Sequence, residues 1–345
     1  MNTIVGTTIK SSDYDDQIVI IISRMGFIER MPLIKIHSLT HGGVGLKSIC
    51  TRENDYVEHI SLATIQSTIL FFTSLGCCYW LKACDIPEIA SNPNKKSVQD
   101  LFKIAVGEYI SAFIIVEDCT REDFLYSHYI EFCTKNGVVK KSCLMDFFRQ
   151  CNGIIQPCNN GIIAINICEG DTLVNAIVTN GENDLMLASR EGRAIRFNES
   201  QVRTMGRVST GVLGMRVPDG KDEVVGIIHI DDVKTETVMF VCENGYGIRA
   251  NLEDFRLSHR GTYGMRSLNV TDKRGKVVDI TTVTDNSDLI IFNKSGFISR
   301  IKVKNVPIKQ RATSCMKLIE RFPLNDQIIC VLKVDDFEKL EKSQG

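Results

Sequence analysis

The stretch Asp184–Val217, DLMLASREGRAIRFNESQVRTMGRVSTGVLGMRV, reads as two short strands joined by a tight turn and followed by a Gly-punctuated loop. Leu185 to Ser189 and Arg193 to Phe197 are the strands, and Gly192 marks the turn between them. A hairpin turn of two to four residues usually forces one residue to positive φ, which glycine adopts without steric cost. Apolar or alternating runs of five residues fit buried or half-buried strand rather than helix.

The same phrase recurs five more times. TVMFVCENGYGIRANLEDFRLSHRGTYGMRSLNV starts at Thr237, and DLIIFNKSGFISRIKVKNVPIKQRATSCMKLI at Asp288. Upstream copies start at Ile18, Thr68 and His128. The turn glycines are Gly26, Gly76, Gly137, Gly192, Gly245 and Gly296, separated by 50, 61, 55, 53 and 51 residues. A second pattern keeps step. An acidic or polar turn and an apolar strand (NDYVEHISLA, GEYISAFIIVED, GDTLVNAIVT, DEVVGIIHID, GKVVDITTVTD) precede each hairpin after the first, and NDQIICVLKVDD follows the last. A period near 50 residues with about four strands per unit predicts an all-β, six-bladed, propeller-like array. One blade cannot bury its faces alone, so the array is expected to form one body over residues 17–336. A polar lead-in (1–16) and a polar tail (337–345) flank it. The doubled phrase CNGIIQPCNNGIIAINI in the third blade contains an insertion, its second copy being the one that fits the repeat.

Composition narrows the function. The longest apolar runs fall short of the roughly 18 residues that a membrane helix needs, and the N-terminus lacks the basic-then-apolar build of a secretory signal. Of the 13 cysteines, ten precede Asp171. Cys77 and Cys78 are adjacent and Cys151 and Cys158 lie too far apart for paired metal ligands, so buried free thiols are expected and zinc is not. Charge is unevenly spread. Met1–Met186 holds 15 Lys and Arg against 21 Asp and Glu, net −6; Leu187–Arg321 holds 23 against 16, net +7. Such asymmetry points to a polyanion surface on the later blades.

The cations recur. After the turns come Arg190, Arg193, Arg196, Arg249, Arg300 and Lys302, with Lys140 and Lys141 in the third blade. The loops add Arg203, Arg207, Arg216, Arg256, Arg260, Arg266, Lys309, Arg311 and Lys317. Repeated around a rotational array, these are expected to lie outward along one rim and to suit the backbone of a duplex without reading bases. The first-blade loop HSLTHGGVGLK adds His41, Gly42, Gly43, Gly45 and Lys47, where glycines permit close backbone approach to phosphate or to another strand. No Ser/His/Asp order, carboxylate pair or phosphate loop suggests an enzyme.

These residues resemble the C-terminal domain of bacterial DNA gyrase A. AIRFNESQVRTMGR at Ala194, TGVLGMR at Thr210, NGYGIRANLEDFR at Asn244, DLIIFNKSGFISRI at Asp288 and GIIAIN at Gly161 carry the likeness, with VEHISLA, LFFTSLG, YWLK and IPE in the second blade. The resemblance implies a β-pinwheel whose neighbouring blades exchange strands. It implies a basic rim that bends and wraps duplex DNA to support ATP-dependent negative supercoiling. The implied partners are double-stranded DNA, the gyrase A catalytic core and gyrase B in a heterotetramer in the bacterial, nucleoid-associated cytoplasm. The isolated domain is expected to be monomeric. The catalytic tyrosine, ATP and magnesium belong to other parts of that holoenzyme, so this chain is expected to hold no cofactor.

The family's basic box, Gln-(Arg/Lys)-Arg-Gly-Gly-(Arg/Lys)-Gly, falls on Leu39, Thr40, His41, Gly42, Gly43, Val44 and Gly45, which keep the glycines and lose the fixed charges. Ser258 to Gly264, including Arg260 and Gly261, resembles a second, weaker version. The alternatives are the accessory domain of topoisomerase IV, which binds DNA without chiral wrapping, and a propeller-like protein-interaction scaffold.

Overall fold

The computed structural model describes residues 17–33, 55–89, 97–218, 220–320, 322 and 325–335, together with the backbone of residues 4–5. Six small antiparallel sheets are set in a ring. Their hairpins are Gln17–Ser23 with Ile28–Pro32, Thr68–Thr73 with Cys77–Lys82, Tyr129–Thr134 with Val138–Cys143, Asp184–Ser189 with Arg193–Asn198, Thr237–Cys242 with Tyr246–Asn251, and Ser287–Asn293 with Ile298–Lys302. The third strands are Val57–Thr64, Ile110–Val116, Leu173–Thr179, Val224–Ile230, Val277–Val283 and Ile328–Asp335. Each pairs with the first strand of its hairpin. From blade two round through blade six to blade one, the third strands of successive blades are neighbours around the centre, which makes the opposite edge of each sheet its outer edge.

Small polar side chains hold each turn in five of the blades. Ser23 Oγ, Thr73 Oγ1, Thr134 Oγ1, Ser189 Oγ and Asn293 Oδ1 each accept from the amide four residues on, at 2.6–3.3 Å. The acidic phrase before the third strand serves the same turn. Asp55, Asp171, Asp222 and Asp326 each accept from a hairpin-turn amide (Met25, Asn136, Glu191 and Ser295) and from the amide of the following residue. A carboxylate that takes two backbone donors satisfies groups the ladder leaves open. The two sequence patterns keep step because they meet at one turn.

The outermost strand comes from the following blade's loop. Ile162–Ile163 pairs with Cys77–Cys78, Val212–Leu213 with Val138–Val139, Met265–Arg266 with Arg193–Ala194, and Met316–Lys317 with Tyr246–Gly247. Ser97 makes a single bridge to Phe27 at the matching place in blade one. The loops of blades four to six therefore cover the outer edges of blades three to five. This exchange explains the turn glycines twice over. Gly137 has φ 84°, and its carbonyl accepts from the amides of Gly214 and Met215. A Cβ added there would lie 2.0 Å from Met215 O, so the incoming strand needs glycine as much as the turn does.

Period-two alternation then fills the gaps between blades. Leu70 and Phe72 face a core shared with blade three, while Ile69 and Phe71 face one shared with blade one. Three more cores join blades three to six in succession. The sixth unites Val19, Ile21 and Leu62 of blade one with Ile290, Phe292, Leu332 and Val334 of blade six, so the ring is closed. The first copy of the doubled phrase forms a separate hairpin, Phe148–Cys151 with Ile154–Pro157, beside blade three. Ile4–Val5 lies parallel to Ile115–Val116.

Candidate nucleic-acid interface

One set of cations departs from the rim expected of it. Arg30, Lys141, Arg196 and Arg249 occupy one register position, the third from the end of the hairpin's second strand. Alternation places Arg196 on the same sheet face as Ala194, whose side chain is buried in the core against blade five. Arg196 Nη1 accordingly donates to the carbonyls of Leu252 and Phe255, each at 3.2 Å, at the 3-10 turn of that next blade. Arg249 repeats the bond to Val303 O (3.2 Å) and Val306 O (3.4 Å), Lys141 to Glu199 O (3.1 Å), and Arg30, through Nε, to Ile86 O (2.7 Å). Trp80 stands in this position in blade two and donates to Cys158 O at 2.8 Å. Leu252 O, Val303 O and Glu199 O also accept an amide within their own turn, so the cation takes a second lone pair there, while Phe255 O and Val306 O lie just past the turn.

Carboxylates complete the clamp. Asp184 accepts from Arg196 Nε and Nη2 at 2.9 and 2.6 Å, and Asp288 from the equivalent atoms of Arg300 at 2.9 and 2.5 Å. Arg249 pairs with Asp285 at 2.8 Å. Lys140 is wholly buried, with Nζ donating to Ala164 O and Arg207 O and lying over the Phe132 ring. Lys140, Lys141, Arg196 and Arg249 thus face inward and hold blade to blade, and Arg300 is tied down within its own hairpin, which corrects their placement on an outward rim.

A second set has mixed duty. Arg207, Arg260 and Arg311 stand at equivalent, half-buried loop positions. Arg260 Nε and Nη1 donate to Gln201 O and Leu213 O at 2.9 and 2.8 Å, and Arg311 repeats this on Asp254 O and Arg266 O at 3.0 and 3.1 Å. Arg193 likewise donates to Tyr263 O and Gly264 O at 2.9 and 3.1 Å. Gly261 N donates to Gly214 O across the blade boundary. Lys309 Nζ reaches Ser314 O at 3.2 Å and is half-buried, as is Lys302. Neutralising Arg260 or Arg311 would disturb the strand exchange along with any surface charge.

Of the hairpin and loop cations named from the sequence, Arg203, Arg216, Arg256, Arg266 and Lys317 are exposed. Arg266 and Lys317 occupy the same place on the outermost strands of blades four and five. Arg203 and Arg256 precede residues bridged to Lys141 and Arg196, on the outer edges of blades three and four. Arg216 stacks over the Tyr263 ring, 5.6 Å from its centroid. These side chains can meet phosphates with little loss of internal bonding. The sequence named each cation, but only the exchanged strands separate Arg256 and Arg266 from Arg249. His41, Gly42, Gly43, Gly45 and Lys47 lie outside the described residues.

Comparison with known proteins agrees with this build. The family model for the DNA gyrase C-terminal domain, a β-propeller, matches residues 67–117, 159–180, 183–231, 236–284 and 287–335. DNA gyrase A from Staphylococcus aureus strain MRSA252 is 36% identical over 305 residues, 88% of this chain and 33% of that protein. The same protein from strain NCTC 8325 is equally similar. The chain thus spans about a third of the length of these curated relatives. Among solved structures, a DNA gyrase A C-terminal domain superposes with a TM-score of 0.77 at 22% identity, covering 92% of this chain and 99% of that one. The C-terminal domain of a DNA topoisomerase IV superposes with a TM-score of 0.67 at 22% identity, covering 95% and 97%.

Proposed function

The chain belongs to the DNA gyrase C-terminal domain family, and from that premise we propose that it is the DNA-binding and DNA-bending domain of a type II topoisomerase. The observation that carries this is the row of exposed cations Arg203, Arg256, Arg266 and Lys317 on the outer edges of blades three to five. Phosphate contact along such an edge needs positive charge at regular intervals and no base reading. Bending a duplex costs on the order of 1–6 kcal/mol over 20–30 base pairs, which several contacts can offset. In a holoenzyme the bent segment would be handed to a gyrase A catalytic core acting with gyrase B in the bacterial cytoplasm. ATP and magnesium would act there and not on this chain.

Binding to a duplex should weaken with salt, the slope of log affinity against log salt reflecting about 0.9 per phosphate contact. Replacing Arg203, Arg256, Arg266 and Lys317 by alanine should flatten that slope by up to about 3.6 and leave the thermal midpoint unchanged. An unchanged slope would reject the rim. The accessory domain of topoisomerase IV is the second reading, favoured by Leu39 and Val44 where the family's box has Gln and Arg or Lys. A linking-number assay on nicked, religated circles separates the two. A positive shift that grows with protein supports chiral wrapping, and binding without a shift supports the second reading.

A further inference from the structure

Two aliphatic side chains stand out on the charged edge. Leu257 is 55% exposed and Ile308 47% exposed. They occupy the same repeat position, each bridged in parallel to an inter-blade clamp, Leu257 to Arg196 and Ile308 to Arg249. The next amide locks each in place, Ser258 N donating to Arg196 O at 2.9 Å and Lys309 N to Arg249 O at 2.8 Å. The backbone beneath both side chains is therefore fixed to an arginine that is itself bonded to the following blade. Cations flank them. Arg256 precedes Leu257, Lys309 follows Ile308, and Arg266 and Lys317 lie on the neighbouring outer strands. Blade three has the cation Arg203 and the polar Thr204 at the matching place, so the aliphatic feature belongs to two adjacent blades.

We propose that Leu257 and Ile308 enter the minor groove of a duplex held on this edge, one side chain per blade, and set where it bends. This rests on the DNA-binding reading above. Two phosphate rows approach each other most closely across the minor groove, about 6 Å wide, where flanking cations can take one row each. An aliphatic side chain between them packs against the sugars where the minor groove faces the rim, and a groove in that position narrows as the duplex curves towards the protein. The charge around Leu257 and Ile308 suits that polyanion, and their fixed backbones let them take that place without ordering a loop first. Contact of this kind adds a bend that does not depend on counterion release, whereas the arginines add affinity that does.

The test uses the full chain and a duplex of about 30 base pairs carrying a fluorophore at each end. Leu257→Ala with Ile308→Ala should keep the native salt slope, lower affinity by about 3- to 10-fold and reduce the end-to-end approach of the fluorophores by about half. Arg256→Ala with Arg266→Ala should flatten the salt slope instead. Exposure of all four side chains means that each variant should keep the native circular dichroism and thermal midpoint. A Leu257→Ala, Ile308→Ala variant that bends the duplex as the native chain does overturns the groove contact while leaving DNA binding intact. Failure of the native chain to bind at low salt overturns both readings together.

Discussion

Arg249 shows how far a side chain's neighbours decide its role. Its guanidinium bonds Thr237 Oγ1 at 2.8 Å, two carbonyls of blade six and Asp285, and the residue is 5% exposed. Arg249→Met would leave the buried acceptors without a donor, at an expected cost of about 2–4 kcal/mol. Arg266→Met, on the exposed edge, should stay within about 0.5 kcal/mol of native. Urea unfolding compares them, and equal costs would refute the clamp. Lys140 adds a pH signature. Burial pushes its ammonium down to about 8, against the opposing pull of Asp146. Unfolded, the group titrates near 10.4. Between those values the unfolded chain holds a proton that the native chain has released. Lys140 therefore penalises folding below about pH 8, and the penalty is relieved as pH rises towards 10. Relative to Lys140→Met, native stability should climb between about pH 8 and 9.5, by at most about 1.4 kcal/mol per unit. Parallel stability curves for the two proteins would contradict this.

At the scale of the element, the incoming strand is what turns an ordinary hairpin into a joint. Gly137 and Gly107 share φ values of 84° and 85°. Around Gly107 a Cβ would meet nothing within 4 Å, whereas at Gly137 it would lie 2.0 Å from Met215 O. Gly107→Ala should cost about 1–2 kcal/mol for the positive φ alone. Gly137→Ala should cost roughly 2 kcal/mol more, because the strand at Val212–Leu213 must move or detach. Denaturant midpoints of the two variants read the difference, and equal losses would mean that the exchange contributes little to holding the blades. The hairpins were legible from sequence because apolar alternation and a turn glycine are local signals. The two-residue outer strands were not, since runs such as Val212–Leu213 are too short to show a period.

For the whole molecule, closure of the ring distributes cohesion evenly. Ile290 of blade six and Met239 of blade five are both fully buried, in the cores that join blades six and one and blades five and six. Each substitution to alanine should cost about 2–5 kcal/mol. An open spiral would leave Ile290 without its blade-one neighbours, and a cost for Ile290→Ala far below that for Met239→Ala would favour it. The net charges of −6 and +7 fall on different arcs of this ring, so the cationic rim occupies only part of the circumference. The asymmetry was visible along the chain, but which cations reach the rim depends on the closed packing.

The sequence by itself determined the all-β class, the six repeats and the family, because all of these are periodic along the chain, whereas the structure assigned each polar turn and its strand to the hairpin before it. It also named the cations among which a DNA-contacting set is sought. Tertiary structure alone divided those cations. Arg196, Arg249 and Lys140 carry the same charge as Arg256 and Arg266, yet they are bonded to carbonyls that arrive from loops up to 67 residues away. Whether a positive charge faces solvent or a neighbouring blade is fixed by strand exchange between repeats. Such exchange leaves no local mark, because blades two to five are completed by residues that belong in sequence to the next.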